Sequence, residues 1–482
     1  MKPRITQADI ERGLRELGLG EGDIVLLHSS LSSFGDVDGG AQAVVQAFLD
    51  VLGETGTLAV PAFGELGTIP DTVRADPRAI TSIHPLAAVS AIGQHAEALF
   101  RDHWQADTAH GEGTPYVRIA ELGGYVCLAG VDQDRSTTLH TAEEMLRMPY
   151  LSDRTKTFET DSGTETRTYR FFPGPHRDFI GLDRLLRESG VMRIGRIGNS
   201  VIRLMPSQEL IDVCRAAGRA DPAFVLCDNP NCADCVAQRA ALRRHRFGQE
   251  AFTLVASSGL AGRYVPEMLD HLKASGVNCV ELDYVEGRPI DMLTGKEIQA
   301  VVGQLNDAAC TVSALRSWSV PESPDKWLDR AAANGVGRVV LPLWAGAGRL
   351  AIEAAQRGLQ LSVFNNVLGS ADTSSFLVES AENGARLGFT FNAANFARAG
   401  EKPFLYSHKQ KLRRFVDQLD VEDARFDGGV QPLARGNAEI KEMISILRCA
   451  SFDGPMVLTS RNRGTGDLLS ITQRFEALLD AM

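Results

Sequence analysis

The second half of the chain constrains the fold most, because short apolar segments recur there at regular spacing. Amphipathic stretches with helical periodicity, such as residues 264–275 and 437–449, separate most of these segments. Eight strands with intervening helices in roughly 250 residues are typical of a (β/α)8, or TIM, barrel. The sequence therefore predicts such a barrel over residues 250–482, with strands at 252–256, 279–282, 310–315, 338–343, 359–364, 387–391, 415–419 and 456–458.

Strand and helix signals also alternate in the first half of the chain. Apolar, β-branched runs predict strands, and apolar residues at helical spacing predict a helix. The strands are expected at residues 24–28, 57–63 and 125–131, and the helix at residues 40–52. This order predicts an α/β domain over residues 1–207, in which helices pack on a sheet.

Two further segments refine this domain plan. Residues 155–172 alternate Thr, Glu and Arg around Asp161-Ser162-Gly163, which predicts a hairpin and so a mixed rather than a purely parallel domain. Residues 208–249 differ in composition, because a cysteine cluster is followed there by a basic helical run. We interpret them as a connector between the two domains, which ends near Gly248.

Composition and charge narrow the function classes. With 482 residues, 44% hydrophobic and 23% charged, the chain resembles a globular protein of two large domains. Its formal net charge of -11 repels phosphate backbones, so nucleic acid is not expected as a partner. Residues 1–10 hold no signal-peptide core, and no stretch approaches the roughly 18 apolar residues of a membrane span. We therefore expect a cytoplasmic protein without a membrane partner.

The sharpest local motif is Ser136-Thr137-Thr138-Leu139-His140-Thr141-Ala142-Glu143-Glu144. A Ser/Thr run before a helix-forming stretch is an N-cap signal, which places His140 in a first helical turn and Glu143 on the same face. A carboxylate orients an imidazole, and the positive helix end keeps it neutral and able to accept a proton. Such a pair can deprotonate an attacking amine. The alternative is a helix-capping His beside a surface Glu.

A second motif combines a strand, a small-residue loop and a helix start. Residues 23–35 run from a predicted strand through a Ser-rich loop, and Gly39-Gly40 leads into the next helix. Backbone N–H groups at such a place can bind phosphates or a pantetheine amide. The alternative is an ordinary strand-to-helix loop, because Ser- and Gly-rich loops are common at such positions.

Taken together, the motifs of residues 5–205 resemble those of the aminoglycoside 3-N-acetyltransferase family, both in their order along the chain and in the residues they contain. The motifs are His28-Ser29-Ser30-Leu31, Gly39-Gly40, Gly56-Thr57-Leu58, Pro61-Ala62-Phe63, Ser82-Ile83-His84-Pro85, Ala91-Ile92-Gly93, Gly111-Glu112-Gly113-Thr114-Pro115-Tyr116, Thr138-Leu139-His140-Thr141-Ala142-Glu143 and Gly195-Arg196-Ile197-Gly198. Several ordered motifs are far more specific than any one of them.

The resemblance implies transfer of an acetyl group from acetyl-CoA to an amine of an aminoglycoside or another aminosugar-containing small molecule, without a covalent enzyme intermediate. It implies that His140 is the general base, that Glu143 supports it and that Asp134 lies close to the site. His176 either faces the same cleft or has a structural role, and a homodimer is possible. The residues implied at the CoA site are His28, Ser29, Ser30, Leu31, Gly35, Gly40 and, near the phosphates, Ser82 and His84.

The chain departs from the family pattern at three places. Thr81 stands where the family has Arg, and Ala88 stands where it has Ser, which weakens the implied binding of CoA phosphates. The segment before the His-Pro motif, which shapes the acceptor pocket in the family, is shortened here to residues 64–83. An acceptor other than an aminoglycoside therefore stays open.

Four of the eight cysteines crowd into one segment, which in a reducing compartment favours metal binding over disulfides. Cys227, Cys232 and Cys235 include a Cys-x-x-Cys knuckle, and Cys214 can complete four thiolates around a structural Zn²⁺. Four thiolates leave no open position for catalysis. The alternative is that Cys214 is simply buried in a helix.

The predicted barrel is similar to the xylose isomerase-like superfamily of sugar isomerases and epimerases. The likeness rests on the strand order, on Val280-Glu281-Leu282 and on the runs 388–395 and 452–458. Active members bind a divalent cation with Glu, Asp, His and Glu. The matching positions here are Phe364 or Asn365, Asn392, Asn395 and Thr459.

Neutral amides bind hard cations far more weakly than carboxylates do. The resemblance therefore implies a sugar-binding or scaffold role for the barrel and no metal-dependent isomerisation. A sugar isomerase or epimerase acting through the barrel is the alternative function, since Glu281 and Asp283 remain at a strand end.

Overall fold

The computed structural model describes residues 4–174, 176–366, 368–460 and 468–482. The chain forms two compact units, Met1–Leu242 and Arg243–Met482. Residues 208–242, which the sequence analysis assigned to a connector, thus belong with the N-terminal unit. Over the described ranges, no helix combines the length and the apolar character that a membrane crossing requires.

The N-terminal unit is built on a mixed sheet. Its strands, within the described residues, are β1 (Ile24–Ser29), β2 (Thr57–Pro61), β3 (Ile80–Thr81), β4 (Val89–Gly93), β5 (Tyr125–Ala129), β6 (Ser152–Thr160), β7 (Gly163–Phe171), β8 (Arg193–Ile197) and β9 (Ser200–Pro206). The sheet order is β3-β4-β2-β1-β5-β9-β8, with β1 parallel to β2 and β5 and the other pairs antiparallel. β6 and β7 form the separate hairpin that the sequence predicts. The predicted mixed α/β fold is confirmed.

Both faces of the central strand β1 are buried. Side chains of a strand alternate between its two faces. Val25 and Leu27 belong to one apolar cluster, and Ile24 and Leu26 belong to another. A strand that is buried on both faces has a continuous apolar sequence, as β1 does. The helices of the unit are α1 (Gln7–Glu16), α2 (Leu31–Phe34), α3 (Gly40–Leu52), α4 (Thr68–Ala75), α5 (Ala96–Phe100), α6 (Pro115–Glu121), α7 (Leu139–Met145), α8 (Asp183–Glu188) and α9 (Ser207–Ala220), followed by α10 (Ala233–Phe247) at the boundary.

The register of β1 and β5 positions the loops that follow them. His28 pairs with Leu128 and Ser29 with Ala129, so the two parallel strands end side by side. Parallel neighbours present their carboxyl ends at the same sheet edge, which is where ligands bind in open α/β sheets. The Ser-rich loop after β1 and the segment that leads to α7 therefore emerge next to each other.

The C-terminal unit is a closed barrel of parallel strands. Along its described residues the strands are β10 (Thr253–Ser257), β11 (Cys279–Leu282), β12 (Tyr284–Val285), β13 (Arg288–Pro289), β14 (Thr311–Arg316), β15 (Arg338–Pro342), β16 (Gln360–Phe364), β17 (Gly388–Asn392), β18 (Val416–Val421), β19 (Asp423–Ala424), β20 (Val430–Gln431) and β21 (Pro455–Leu458). The barrel order is β10-β11-β14-β15-β16-β17-β18-β21, and the remaining four strands form two short pairs outside it. The predicted TIM barrel is confirmed.

Helices alternate with the barrel strands. They are α11 (Ser258–Ala261), α12 (Val265–Ser275), α13 (Gly295–Asp307), α14 (Pro324–Ala333), α15 (Ala347–Gln356), α16 (Ser370–Glu382), α17 (Ala393–Arg398), α18 (Ile440–Cys449) and α19 (Leu468–Asp480), with a π-helical segment at Pro403–Leu412. One large apolar cluster joins strands and helices, and it includes Leu272, Leu315, Phe389 and Phe475.

A buried ionic cluster fills the barrel interior near the carboxyl ends of the strands. Arg316 donates from Nη1 to Glu281 Oε1 at 2.7 Å and to Asp420 Oδ1 at 2.9 Å. All three side chains are fully buried, and the guanidinium lies over the rings of Trp318 and Phe364. Burial raises the pKa of Glu281 despite the Arg316 cation. The barrel thus carries its own cation between two carboxylates.

Three of the positions matched to metal ligands, Asn365, Asn392 and Asn395, are hydrogen-bonded to one another, whereas the buried Thr459 hydroxyl has no partner within the described residues. Asn365 Oδ1 accepts from the Asn392 backbone N–H at 3.2 Å, and Asn392 Oδ1 accepts from the Asn395 N–H at 2.8 Å. Asn395 Nδ2 donates to the Asn365 carbonyl at 2.6 Å. Asn392 Nδ2 donates to Asp420, which connects these amides to the ionic cluster. The amides therefore fix the ends of β16 and β17.

We predict that Arg316→Met strongly destabilises the barrel, because Glu281 and Asp420 would keep their burial and lose their cation. The expected loss is about 3–5 kcal/mol, measured as a lower urea midpoint of the full chain. Arg349→Met is the control, because Arg349 is 88% exposed and its ion pair with Glu353 should be worth less than about 1 kcal/mol. Similar midpoints for both variants would contradict the prediction.

Candidate active site

Helix α7 presents His140 in its first turn, as the sequence predicts. The helix runs over Leu139–Met145 and its N-cap is Thr138. The Thr138 hydroxyl makes no capping hydrogen bond. The Ser/Thr run therefore marks the helix start, but its N-cap side chain does not accept from a backbone N–H of the first turn, as an N-cap residue usually does. Glu143 follows three residues after His140 and is fully buried rather than on the surface.

His140 and Glu143 form a close hydrogen-bonded pair. His140 Nδ1 lies 2.7 Å from Glu143 Oε2. The other carboxylate oxygen, Oε1, accepts from Arg177 Nε at 2.6 Å and from the Tyr150 hydroxyl at 2.9 Å. A carboxylate at Nδ1 fixes the tautomer in which Nδ1 carries the proton, and it leaves the Nε2 lone pair to accept another.

Aromatic rings pack against the His140 imidazole and fix its orientation. The Phe172 ring stacks on His140 at 3.6 Å between centroids with an angle of 3°, and Phe179 meets it edge-on at 4.9 Å. Arg177 lies over Phe172 as well, so the same residue contacts both Glu143 and the ring that supports His140. Only 12% of the His140 side chain is exposed. The ring therefore has little freedom to turn.

Electrostatics keep the pair in the state that a base requires. Burial lowers the pKa of His140 below 6.5, and the hydrogen bond to Glu143 opposes this shift only in part. Burial raises the pKa of Glu143, but the hydrogen bond to His140 and the charge of Arg177 outweigh it, so the pKa falls below its usual value. At neutral pH the pair is a neutral imidazole beside a carboxylate, which can accept a proton.

A cavity of about 880 Å³ opens at the carboxyl ends of β1 and β5. Five of the predicted CoA residues line it: His28, Ser29, Ser30, Leu31 and Gly35. The Ser29 hydroxyl is buried there and has no hydrogen-bond partner within the described residues. The shortened segment 64–83 contributes too, because Glu65, Leu66, Gly67, Thr68 and Pro70 form part of the wall.

The cavity lies close to the segment that carries His140. His28 Nε2 is 3.4 Å from the Thr137 hydroxyl, three residues before His140. Burial lowers the pKa of His28 to about 3, so this imidazole is neutral. Asp132 and Arg135, from the loop between β5 and α7, line the cavity as well. A ligand in the cavity would therefore extend toward α7.

The other residues predicted at the CoA site have separate surroundings. Ser82 Oγ accepts from the Val89 N–H at 2.9 Å and lies 2.9 Å from His103 Nδ1. His84 Nδ1 accepts from the Ala87 N–H at 3.0 Å, and its ring stacks on His103. Both side chains are buried and neither lines the cavity described above. Gly40 begins α3 with φ 59° and is not part of that lining.

Asp134 lies beside the segment that carries Phe179. Its Oδ1 accepts from the Ile180 N–H at 3.1 Å, which anchors the residue next to the Phe179 ring. Burial raises the pKa of Asp134, while the same backbone hydrogen bond lowers it. Asp134 is thus linked to His140 only indirectly, through the backbone beside Phe179, whose ring contacts the imidazole.

The cysteine cluster has a different fourth member from the one that we expected. The ligand atoms of His176, Cys227, Cys232 and Cys235 all lie within 4.8 Å of one another. Cys214, predicted as a ligand, is instead buried in α9 within an apolar cluster, where burial raises the pKa of its thiol to about 12. Cys214 shares this apolar cluster with Cys235, but its thiol is not among the converging ligand atoms, and His176 takes the place expected for it. His176, predicted near the catalytic cleft, belongs to the cysteine cluster.

Several residues of the site carry no local sequence signal. Tyr150, Phe172 and Arg177 lie outside α7 and contact His140 or Glu143 only through the fold. His110 and Glu144 form a second buried pair, in which Glu144 Oε1 is 3.2 Å from His110 Nδ1, and the His110 ring lies 5.3 Å from that of His140. In the sequence, only the Glu143-Glu144 doublet of the motif indicates that two carboxylates are paired with histidines in this site.

Comparison with known proteins gives matches to the N-terminal unit. The family profile described as Aminoglycoside 3-N-acetyltransferase matches residues 26–66 and 64–217. Aminoglycoside N(3)-acetyltransferase VII of Streptomyces paromomycinus is 29% identical over 259 residues, which cover 43% of this chain and 89% of that protein. Aminoglycoside N(3)-acetyltransferase VIII of Streptomyces fradiae is 33% identical over 181 residues, or 30% of this chain and 63% of that protein.

Solved structures match the same half of the chain. The apoenzyme of aminoglycoside acetyltransferase AAC(3)-IVa is 29% identical and covers 50% of this chain and 99% of its own, with a TM-score of 0.46. The N-terminal unit itself has the strand order β3-β4-β2-β1-β5-β9-β8.

Proposed function

We propose that this chain, whose N-terminal unit belongs to the aminoglycoside 3-N-acetyltransferase family, transfers an acetyl group from acetyl-CoA to an amine of an aminoglycoside or another aminosugar-containing acceptor. The observation that carries the proposal is the neutral His140, hydrogen-bonded to a buried carboxylate on the helix that follows a cavity-lining loop. A general base of this kind is what the attack of an amine on a thioester requires.

In this mechanism His140 acts through Nε2. The amine nitrogen attacks the thioester carbonyl carbon and forms a C–N bond while Nε2 takes its proton. The tetrahedral intermediate collapses, the C–S bond breaks, and CoA leaves as a thiolate that receives the proton from the imidazolium. Glu143 stabilises the imidazolium between these steps, since its carboxylate faces Nδ1 at 2.7 Å.

The cavity at β1 and β5 would hold the CoA arm. Arg135 lines it and offers the phosphates a cation from the loop before α7, which supplies some of what the missing Arg at Thr81 would give. Ser29 offers an unpaired hydroxyl in the same wall. Isomerisation through the barrel is not favoured, because the cation between Glu281 and Asp420 is Arg316.

We predict that His140→Ala lowers kcat by roughly 10²–10⁴-fold, because the base is lost while CoA binding is left intact. The measurement is a free-thiol assay with a panel of aminosugars, together with calorimetric titration by CoA. His245→Ala is the control, because His245 is exposed on α10. Equal turnover in wild type and His140→Ala would refute the assigned base.

The pH profile offers an independent test. Because only neutral His140 accepts a proton and burial lowers its pKa, the acid limb of kcat/KM should lie below pH 6.5. Glu143 raises the pKa of His140, so Glu143→Gln should move this limb to still lower pH while the plateau rate falls. A limb that moves to higher pH in Glu143→Gln would be inconsistent with this pairing.

We further propose that His176, Cys227, Cys232 and Cys235 bind a structural Zn²⁺. Three thiolates and one imidazole within this distance fit the tetrahedral preference of the ion and leave no open position for substrate. His176 Nδ1 lies 3.3 Å from Cys235 Sγ and 3.4 Å from Cys232 Sγ, so the donors already converge.

Metal content tests this site directly. Protein isolated without chelator should contain about one zinc per chain by elemental analysis, and Cys232→Ser should lose most of it. Cys214→Ala should keep its zinc, because Cys214 lies outside the group. Zinc lost in Cys214→Ala as well as in Cys232→Ser would instead favour the four-thiolate set expected from the sequence.

A further inference from the structure

We propose that the zinc site holds Arg177 against Glu143, so that acetyl transfer depends on a metal ion that never touches the reactants. The inference rests on both parts of the proposed function, the His140 base and the zinc site. It begins from chain order, because the ligand His176 is directly followed by Arg177, which binds the catalytic carboxylate. A displacement of one residue must therefore move the other.

Arg177 is the part of the site that links the two centres. Its Nε donates to Glu143 Oε1 at 2.6 Å, and its side chain is 2% exposed. Its guanidinium carbon lies 5.2 Å from the centre of the Phe172 ring, on which His140 stacks. The Arg177 charge also helps to keep Glu143 ionised, since it lowers the pKa of that carboxyl. Loss of Arg177 would leave Glu143 as a buried charge with weaker compensation.

The segment that carries Arg177 belongs to no helix or strand over its described residues, 172–174 and 176–179. Besides the bond from Arg177 to Glu143, its anchors come from residues 225–238, where the Val225 carbonyl accepts from the Asp178 N–H at 2.9 Å. The His176 N–H donates to Asp234 Oδ2 at 3.2 Å, and Gln238 Nε2 donates to the Pro173 carbonyl at 3.0 Å. The position of Arg177 therefore depends on how firmly the knuckle residues are held.

A bound metal ion would hold the His176 side chain more firmly than its contacts to protein atoms do. Without an ion, His176 meets Cys232 and Cys235 at 3.3–3.4 Å through contacts to sulfur, which are weak hydrogen bonds. With Zn²⁺, the same imidazole becomes a ligand at a fixed distance and direction. Residues that orient a catalytic group through such supporting contacts typically change activity by about 10–100-fold when removed. Arg177 is accordingly a positioning residue, and the zinc ion acts through it.

The experiment uses the full chain, from which zinc is removed with a chelator and to which ZnCl2 is then returned. We expect kcat to fall by about 10–100-fold without zinc and to recover with it, while the calorimetric Kd for CoA changes less than about threefold. Far-UV circular dichroism confirms that the zinc-free chain stays folded. Cys214→Ala should respond to chelation as the wild type does, because its cysteine lies outside the ligand group.

A second readout does not depend on turnover. The His140 imidazole resonances, assigned by comparison with His140→Ala, should shift and broaden on zinc removal and return with the ion. Arg177→Ala should give the same shift with zinc still bound, and Arg177→Lys should restore part of kcat. Zinc that leaves and returns with no change in kcat or in the His140 resonances would overturn the coupling while the zinc site stands.

The remaining outcomes separate this inference from its premises. Absence of zinc after incubation with ZnCl2 would overturn the zinc site and the coupling together, while the His140→Ala assay stays valid for the transferase. Absence of turnover on every amine would count against the transferase. In that case the His140 resonances still decide whether the metal positions the pair.

Discussion

The N-terminal site depends on one buried carboxylate. Glu143 is fully buried, and an isolated ion in that place would cost several kcal/mol. The structure offsets this cost with three donors: His140 from the same helix, Tyr150 from the chain just after it, and Arg177 from a distant loop. Since all three converge on two oxygen atoms, the orientation of the imidazole, the charge state of the carboxylate and the position of the loop cannot change independently.

Buried charges have different roles in the two units. In the barrel, Arg316 neutralises Glu281 and Asp420, and the amides of Asn365 and Asn392 complete a network that fixes strand ends. In the N-terminal unit, among the residues that the structure describes, the hydrogen bond to Glu143 engages only Nδ1 of the His140 imidazole. In the barrel cluster the guanidinium pairs with both carboxylates and gives rigidity, whereas in the N-terminal cluster the second imidazole nitrogen is the atom of the proposed base.

Local patterns predicted much of the fold because secondary structure follows periodicity within a few turns. The eight barrel strands, the β6–β7 hairpin and the start of α7 all followed from alternation, spacing or capping residues. The His140–Glu143 pair was accessible for the same reason, since residues three apart share a helix face. The end of β1 and the loop after it were likewise recognisable, and five of the residues predicted there line the cavity.

The sequence by itself thus determined the mixed α/β domain, the TIM barrel and the helical pair that carries the proposed base. Only the tertiary structure decided which remote residues complete that pair, which of the predicted CoA residues lie at the cavity, and that His176 rather than Cys214 joins the knuckle. The physical reason is that contacts between residues far apart in sequence are set by strand order and loop path. Composition and residue spacing do not reveal strand order or loop path. In the folded chain, by contrast, a buried carboxylate is stable only where hydrogen-bond donors or cations lie next to it.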